Sequence, residues 1–304
     1  MNIQITFALT LLFVTPALAE EWQAPHLPWG APDLQGTWTS ATLTPLERPP
    51  ELPDLVLSDS QASMVEQAAA GQVAAIDAVP EGDLAAGDIE GAYNAAWMDP
   101  GTQLARINGE AHSSIIVEPQ NGKVPYTGLA RQKLENRYRQ YLNHHNPEEQ
   151  LLGDRCVVGF GSTGGPPMLP VLYNNNYQIV QSPDYVLIMV EMNHAIRTIP
   201  INSKPLPESI TPWLGDSVGH WEGNTLVVTT RRSHPQQSAR FAIRHRLYLD
   251  TNSTVIERFT RTAENEIHYA FTVSNPELYT QDWRGELPLY STDGQIYEYA
   301  CHEG

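Results

Sequence analysis

Positive charge is scarce in this chain: 18 Lys and Arg stand against 35 Asp and Glu, for a formal net charge of −17. A polyphosphate would be repelled by that field, which sets aside nucleic acid and anionic lipid surfaces as partners. The plainer reading of the charge is that it keeps an exported chain soluble. Cysteine is scarcer still. There are two, Cys156 and Cys301, and neither sits in a Cys-x-x-Cys pattern, so no dithiol redox motif is present. Long apolar runs are also missing. The one near the start, Ile5 to Val14, is far short of the about 20 residues that cross a bilayer. No internal repeat and no nucleotide-binding fingerprint occurs.

The short apolar run has a use of its own. It is followed by Pro16 and the small-x-small site Ala17-Leu18-Ala19, the pattern of a secretory signal cleaved near Ala19 to leave Glu20 first. The alternative, an uncleaved anchor, is opposed by its length. The expected location is therefore periplasmic or secreted. In such an oxidising compartment an even pair of cysteines most simply forms one disulfide. A Cys156–Cys301 bond would tie two distant segments and contribute about 5 kcal/mol in the chain-entropy model.

Three regions follow: the signal at 1–19, an N-terminal arm at 20–150 and a β domain at 151–304. The arm is rich in Pro and Trp at 20–55, with Leu34 to Thr39 as a short strand. Ser58, three residues before Gln61, forms a capping box for a helix that runs to about Gly71. Residues 72–92 are Ala, Gly and acidic residues without period and read as a mobile connector. Ser113–Val117 reads as a strand before the Asn121-Gly122 turn. Thr127 caps a second helix over about 128–142.

Beyond Tyr177 the texture changes to β-branched and apolar runs separated by turn residues: 177–181, 185–191, 226–230, 241–249, 255–262, 267–273, 287–290 and 296–299. Ile243, His245, Leu247 and Leu249 share one strand face, and Ile267, Tyr269, Phe271 and Val273 another. These predict a mainly β fold: an antiparallel meander closed into a calycin-like barrel or barrel-like sandwich, carrying the arm and two short helices.

Two resemblances accompany this pattern. Gly36-Thr37-Trp38 is similar to the Gly-x-Trp signature on the first strand of lipocalins and related calycins, which implies an Arg from a late strand packed on the Trp, here Arg258 or Arg261. Over most of its length the chain resembles a group of exported bacterial proteins of uncharacterised activity. The shared segments are Pro32–Trp38, Asp154-Arg155-Cys156, Leu214–Val228 and Tyr297–Gly304. That resemblance implies architecture and export, and carries no mechanism.

For chemistry, Glu191-x-x-His194 has the spacing of a di-metal carboxylate motif, but such a motif needs a helix, and the flanking Val186–Val190 reads as strand. His144-His145 reads as a solvated loop. The glycine-rich stretch 159–165 fails as a nucleophile elbow, because Phe160 stands where Gly is required, and reads as a flexible or ligand-facing loop. No metal and no cofactor is predicted. The remaining acid–base groups are the candidates: His194 as general acid or base, Arg197 as anion holder, His220 as second proton-transfer group. Tyr173, Asn175, Trp221 and His245 are candidate ligand contacts, the first two suited to sugars or phenols. Each is also readable as a satisfied structural group. The function this predicts is an enzyme performing acid–base chemistry (elimination, hydration, isomerisation or hydrolysis) on a small-molecule substrate. The alternatives are a calycin-type carrier and an envelope interaction protein that uses its arm.

Overall fold

The computed structural model describes residues 22–77 and 98–301; the expected signal segment and cleavage site and residues 78–92 of the expected connector lie outside these, while residues 72–77 continue the first helix beyond Gly71 instead of forming a connector. Within them are β1 (Gly36–Thr39), β2 (Val56–Leu57), α1 (Asp59–Asp77), β3 (Arg106–Ile107), β4 (Glu110–His112), β5 (Ile116–Glu118) and α2 (Gly128–Leu142). The β domain adds β6 (Asn176–Gln181), β7 (Tyr185–Val190), β8 (Ile196–Pro200), β9 (Asp216–Glu222), β10 (Thr225–Arg231), β11 (Ala239–Ala242), β12 (His245–Tyr248), β13 (Thr254–Ala263), β14 (Glu266–Ser274) and β15 (Trp283–Ser291).

Alternating burial shapes the sheet. In β14 every second residue, from Ile267 through Tyr269 and Phe271 to Val273, is buried, and the residues between are half-exposed. β7 does the same with Val186, Ile188 and Val190. Strands with one apolar face curl until those faces meet. The order is β8-β7-β6-β1-β15-β14-β13-β10-β9, with every neighbouring pair antiparallel. The ends of this row meet at a parallel bridge between Ile201 and Gly219, where Asn202 N–H donates to the Gly219 carbonyl at 2.8 Å. The result is the expected mainly β fold, a nearly closed nine-stranded barrel.

Four details differ from the sequence pattern. First, the barrel is not a pure meander: β1, from the arm, sits between β6 and β15. Its Trp38 points inward, donates from the indole N–H to the Leu34 carbonyl at 3.0 Å and carries the Arg261 guanidinium 5.4 Å above its ring. Of the two arginines considered for that place, Arg258 instead pairs with Glu222.

Second, 241–249 is not one strand. β11 and β12 form a hairpin that turns at Ile243-Arg244, leaving Ile243 86% exposed. Arg244 reaches away to the carbonyls of Thr42 (2.6 Å) and Pro100 (3.2 Å). A two-residue turn preserves the alternation, so His245, Leu247 and Leu249 remain buried. Third, 296–299 forms no strand, because side chains rather than a sheet edge hold it. Fourth, the glycine-rich stretch is buried, not flexible. Ser162 and Thr163 are fully covered, Tyr177 Oη donates to the Thr163 carbonyl at 3.0 Å, and Met168 N–H donates to Tyr269 Oη at 2.8 Å. Gly161 has φ +59°, and a Cβ there would lie 2.5 Å from His245 Nε2, so both backbone and space require glycine.

Inside the barrel, Arg197 on β8 forms a two-pronged ion pair with Glu257 on β13, and Tyr269 Oη donates to the same carboxylate at 2.8 Å. Both charged groups are out of contact with solvent. Removing one partner strands the other charge, which costs roughly 3–5 kcal/mol, whereas replacing both with apolar groups costs far less. Glu257→Gln is therefore expected to lower the urea-unfolding free energy by about that amount. The double variant Arg197→Met/Glu257→Leu should recover most of the loss.

Candidate functional site

The catalytic trio suggested by the sequence does not converge. Arg197 is spent on Glu257 inside the barrel. His220 is on the outer wall, with Nε2 3.1 Å from Glu222 Oε1, and the other oxygen of Glu222 meets Arg258. The parallel bridge Ile201–Gly219 aligns Arg197 with position 215, five residues from His220, or roughly 16 Å along the seam. His194 is exposed, and its Nε2 accepts the Tyr299 N–H at 3.4 Å. Glu191 is buried and accepts the Tyr297 N–H at 3.4 Å and the Asn176 amide at 2.8 Å. The Glu191-x-x-His194 spacing therefore grips alternate amides of the 297–299 segment. Among the described residues no group of three His, Cys, Asp or Glu is placed to hold a metal ion.

Two of the four candidate ligand contacts are structural. Asn175 is buried and closes its own loop, accepting from Val171 N–H at 2.8 Å and donating to the carbonyls of Val171 (3.0 Å) and Asp99 (2.9 Å). His245 accepts the Ser162 N–H on Nε2 at 3.0 Å and bonds the Pro170 carbonyl with its other nitrogen, which fixes the neutral tautomer. Burial first, then the cations Arg244 and Arg240, pull its pKa down to about 3. Trp221 is half-buried against the barrel core. Tyr173 alone stands beside the cleft, where its phenol and that of Tyr299 influence each other.

That cleft, of about 790 Å³, lies between the end of α2 and the segment that reaches Cys301. Thr127 starts α2 by accepting the Ala130 N–H at 3.2 Å, and Asn143 ends it. Arg137 on α2 then holds the carbonyls of Glu149 (2.5 Å) and Gln150 (2.9 Å), folding the following loop back along the helix. His144 sits at the turn with Nδ1 2.8 Å from the Tyr141 carbonyl and Nε2 3.1 Å from Gln150 Nε2. Since a carbonyl only accepts and an amide nitrogen only donates, Nδ1 carries the proton. On the far side, the expected Cys156–Cys301 disulfide is formed, across a sequence separation of 145 residues. It brings Tyr299 to the Gly153–Phe160 loop.

Asp154 is the distinctive group in this cleft. Its Oδ2 is buried without a hydrogen-bond partner among the described residues. Burial raises its pKa, against the lowering by a Leu151 backbone hydrogen bond, His144 and Arg137. Burial likewise raises Tyr173, and pushes Tyr299 up to about 12, with Tyr173 and Asp154 adding to the latter. A carboxyl with raised proton affinity next to a coupled pair of phenols, open to a cleft, is equipped to transfer protons. A second groove, of about 630 Å³, runs along the β8–β9 seam. Its carboxylate, Asp216, is already engaged by Arg232 at 2.5 Å and by Leu206 N–H at 2.9 Å.

In the sequence, Asp154 and Arg155 stood out only as part of a shared segment, His144 as loop and Tyr299 as strand. The available signal was their position beside the two cysteines, since a disulfide places both neighbourhoods together. No family model, curated protein or solved structure matches the chain.

The His245 environment has a consequence for pH. Unfolded, its imidazole takes a proton near 6.5, while folded it stays neutral down to about 3. Between these values the unfolded chain binds more protons, so stability is full above 6.5 and declines as pH falls, by up to about 1.4 kcal/mol per unit from this group. Subtracting the urea-unfolding profile of His245→Gln from that of the unaltered protein should reveal that slope. A flat difference over this range would show that His245 is charged in the fold.

Proposed function

We propose that this chain is an exported enzyme, periplasmic or secreted, that performs acid–base chemistry on a small organic molecule in the cleft between α2 and the Cys301 segment. The observation that carries the reading is Asp154 Oδ2, held at the cleft without a partner among the described residues and with its proton affinity raised. Asp154 is the proton-transfer group, and the Tyr299–Tyr173 pair is a hydrogen-bond donor for charge developing on the substrate. His144, fixed with its proton on Nδ1, positions the Tyr141 end of the wall. The disulfide, and the fact that no described helix is long and apolar enough to cross a membrane, fit export. A carrier that held its ligand in the barrel would need a lumen, and here that space contains Trp38, Tyr177, Phe259, Tyr269, Phe271 and the Arg197–Glu257 pair, all buried.

The test uses mature protein in catalytic amount with a complex small-molecule extract, followed by mass spectrometry. A compound consumed in large molar excess, with a new product, is the expected result. Asp154→Asn, checked for an unchanged fold by circular dichroism, should slow that turnover by about 10²–10⁴-fold. Turnover unaffected by Asp154→Asn, or no compound consumed beyond one equivalent, would refute the proposal.

A further inference from the structure

We infer that the molecule taken by this cleft is a planar aromatic carboxylate, its anionic group held by Arg155 and its ring lying among Tyr141, Phe160 and Tyr299. The inference rests on the reading of the cleft as the working site and adds the class of ligand.

Charge is the first argument. Most arginines of the chain are engaged. Arg106, Arg197, Arg232, Arg258 and Arg284 pair with carboxylates, and Arg48, Arg137, Arg240, Arg244 and Arg261 hold backbone carbonyls. Among the described residues Arg131 and Arg231 make no side-chain ion pair or hydrogen bond, but both are exposed to water. Arg155 is different. It is half-buried, and among the described residues its guanidinium has neither an ion pair nor a hydrogen bond. It lines the cleft and also a neighbouring one of about 370 Å³. A partly desolvated guanidinium presents a planar fork of donors that matches a carboxylate. One cation suits one negative charge. A phosphate dianion would meet Asp154 and the −17 field of the chain with only Arg155 to neutralise it.

Shape is the second argument. Tyr141, Phe160 and Tyr299 all line the cleft, and Tyr141 is braced by the rings of Tyr138 and Phe241 at centroid distances of 6.4 and 6.3 Å. Braced rings make walls that accept a flat π face. The third argument links the ligand to the chemistry. A carboxylate on Arg155 brings a second negative charge toward Asp154, which raises the proton affinity of that carboxyl further. Ligand binding thereby loads the proton donor.

The experiment measures binding to the mature protein by titration calorimetry and ligand-observed NMR, with three probes: 4-hydroxybenzoate, its uncharged analogue 4-hydroxybenzamide, and cyclohexanecarboxylate. The aromatic acid is expected to bind at least tenfold more tightly than either of the others. Arg155→Gln should erase the preference for acid over amide, and Arg155→Lys should restore part of it. Asp154→Asn should retain binding while losing the proton uptake seen when buffers of different ionisation enthalpy are compared. Equal binding of acid and amide, an unchanged preference in Arg155→Gln, or displacement of the aromatic acid by inorganic phosphate at equal concentration would overturn the assignment. The expected binding pattern with no turnover in any extract would leave the ligand class standing and remove the enzymatic reading. Turnover lost in Asp154→Asn without the carboxylate preference would do the reverse.

Discussion

The barrel is a strip of nine strands whose two outer members meet at a single parallel bridge. Backbone hydrogen bonds cannot hold such a seam alone, so it depends on what crosses the interior. The Arg197–Glu257 pair does this, joining β8 on one side of the seam to β13, two strands beyond β9 on the other. Tyr269 supplies a further donor to the carboxylate and at the same time accepts the Met168 N–H at 2.8 Å. The same cluster therefore ties the seam to the buried 159–171 segment. Tyr177, with its pKa raised to about 12 by burial, donates to Thr163 from the other side. A charged pair in that position favours one arrangement of strands, because any slip of β8 by one residue would turn Arg197 outward and leave Glu257 unpaired.

A second constraint arises from composition. The chain has 24 prolines, each contributing a carbonyl without an N–H. Irregular, Pro-rich segments therefore have more acceptors than donors. Arginine corrects the balance. Arg240, fully buried and with its pKa lowered to about 10 by burial, donates to the Pro166 carbonyl at 2.5 Å and to Ser162 Oγ at 3.1 Å. Arg48 holds the carbonyls of Pro53 (3.2 Å) and Gln120 (2.5 Å), and Arg244 holds Pro100. Gln181 and Ser162 do the same for Pro32 and Pro167. The few cations of an acidic chain are thus concentrated where backbone acceptors would otherwise be buried alone.

Much of the barrel was legible because alternation is a local property. β6, β7, β10, β13 and β14 follow the apolar runs closely, and the Ser58 capping box and the Thr127 cap are formed as their residue types require. β8 and β9 were not read as strands. Arg197 interrupts the apolar pattern of the first for a partner 60 residues away. Gly219 thins the second because Ile199 and Ile201 press against it, with atoms 2.9 and 3.0 Å from where a Cβ would stand. The cleft was illegible for a related reason. Its walls come from 141–160 and from 299–301, and no periodicity links them. The histidines that drew attention in the sequence serve the fold: His245 anchors the buried loop, and His194 holds the Tyr299 amide.

The bond between Cys156 and Cys301 also sets an order of events. Its second half is made only after strands β6 to β15 have been synthesised. Tyr299 reaches Tyr173 and Asp154 by the same closure, so the barrel can be complete while the cleft has only one wall. The bond thus adds a covalent tie to a wall that Glu191 and His194 hold by hydrogen bonds alone.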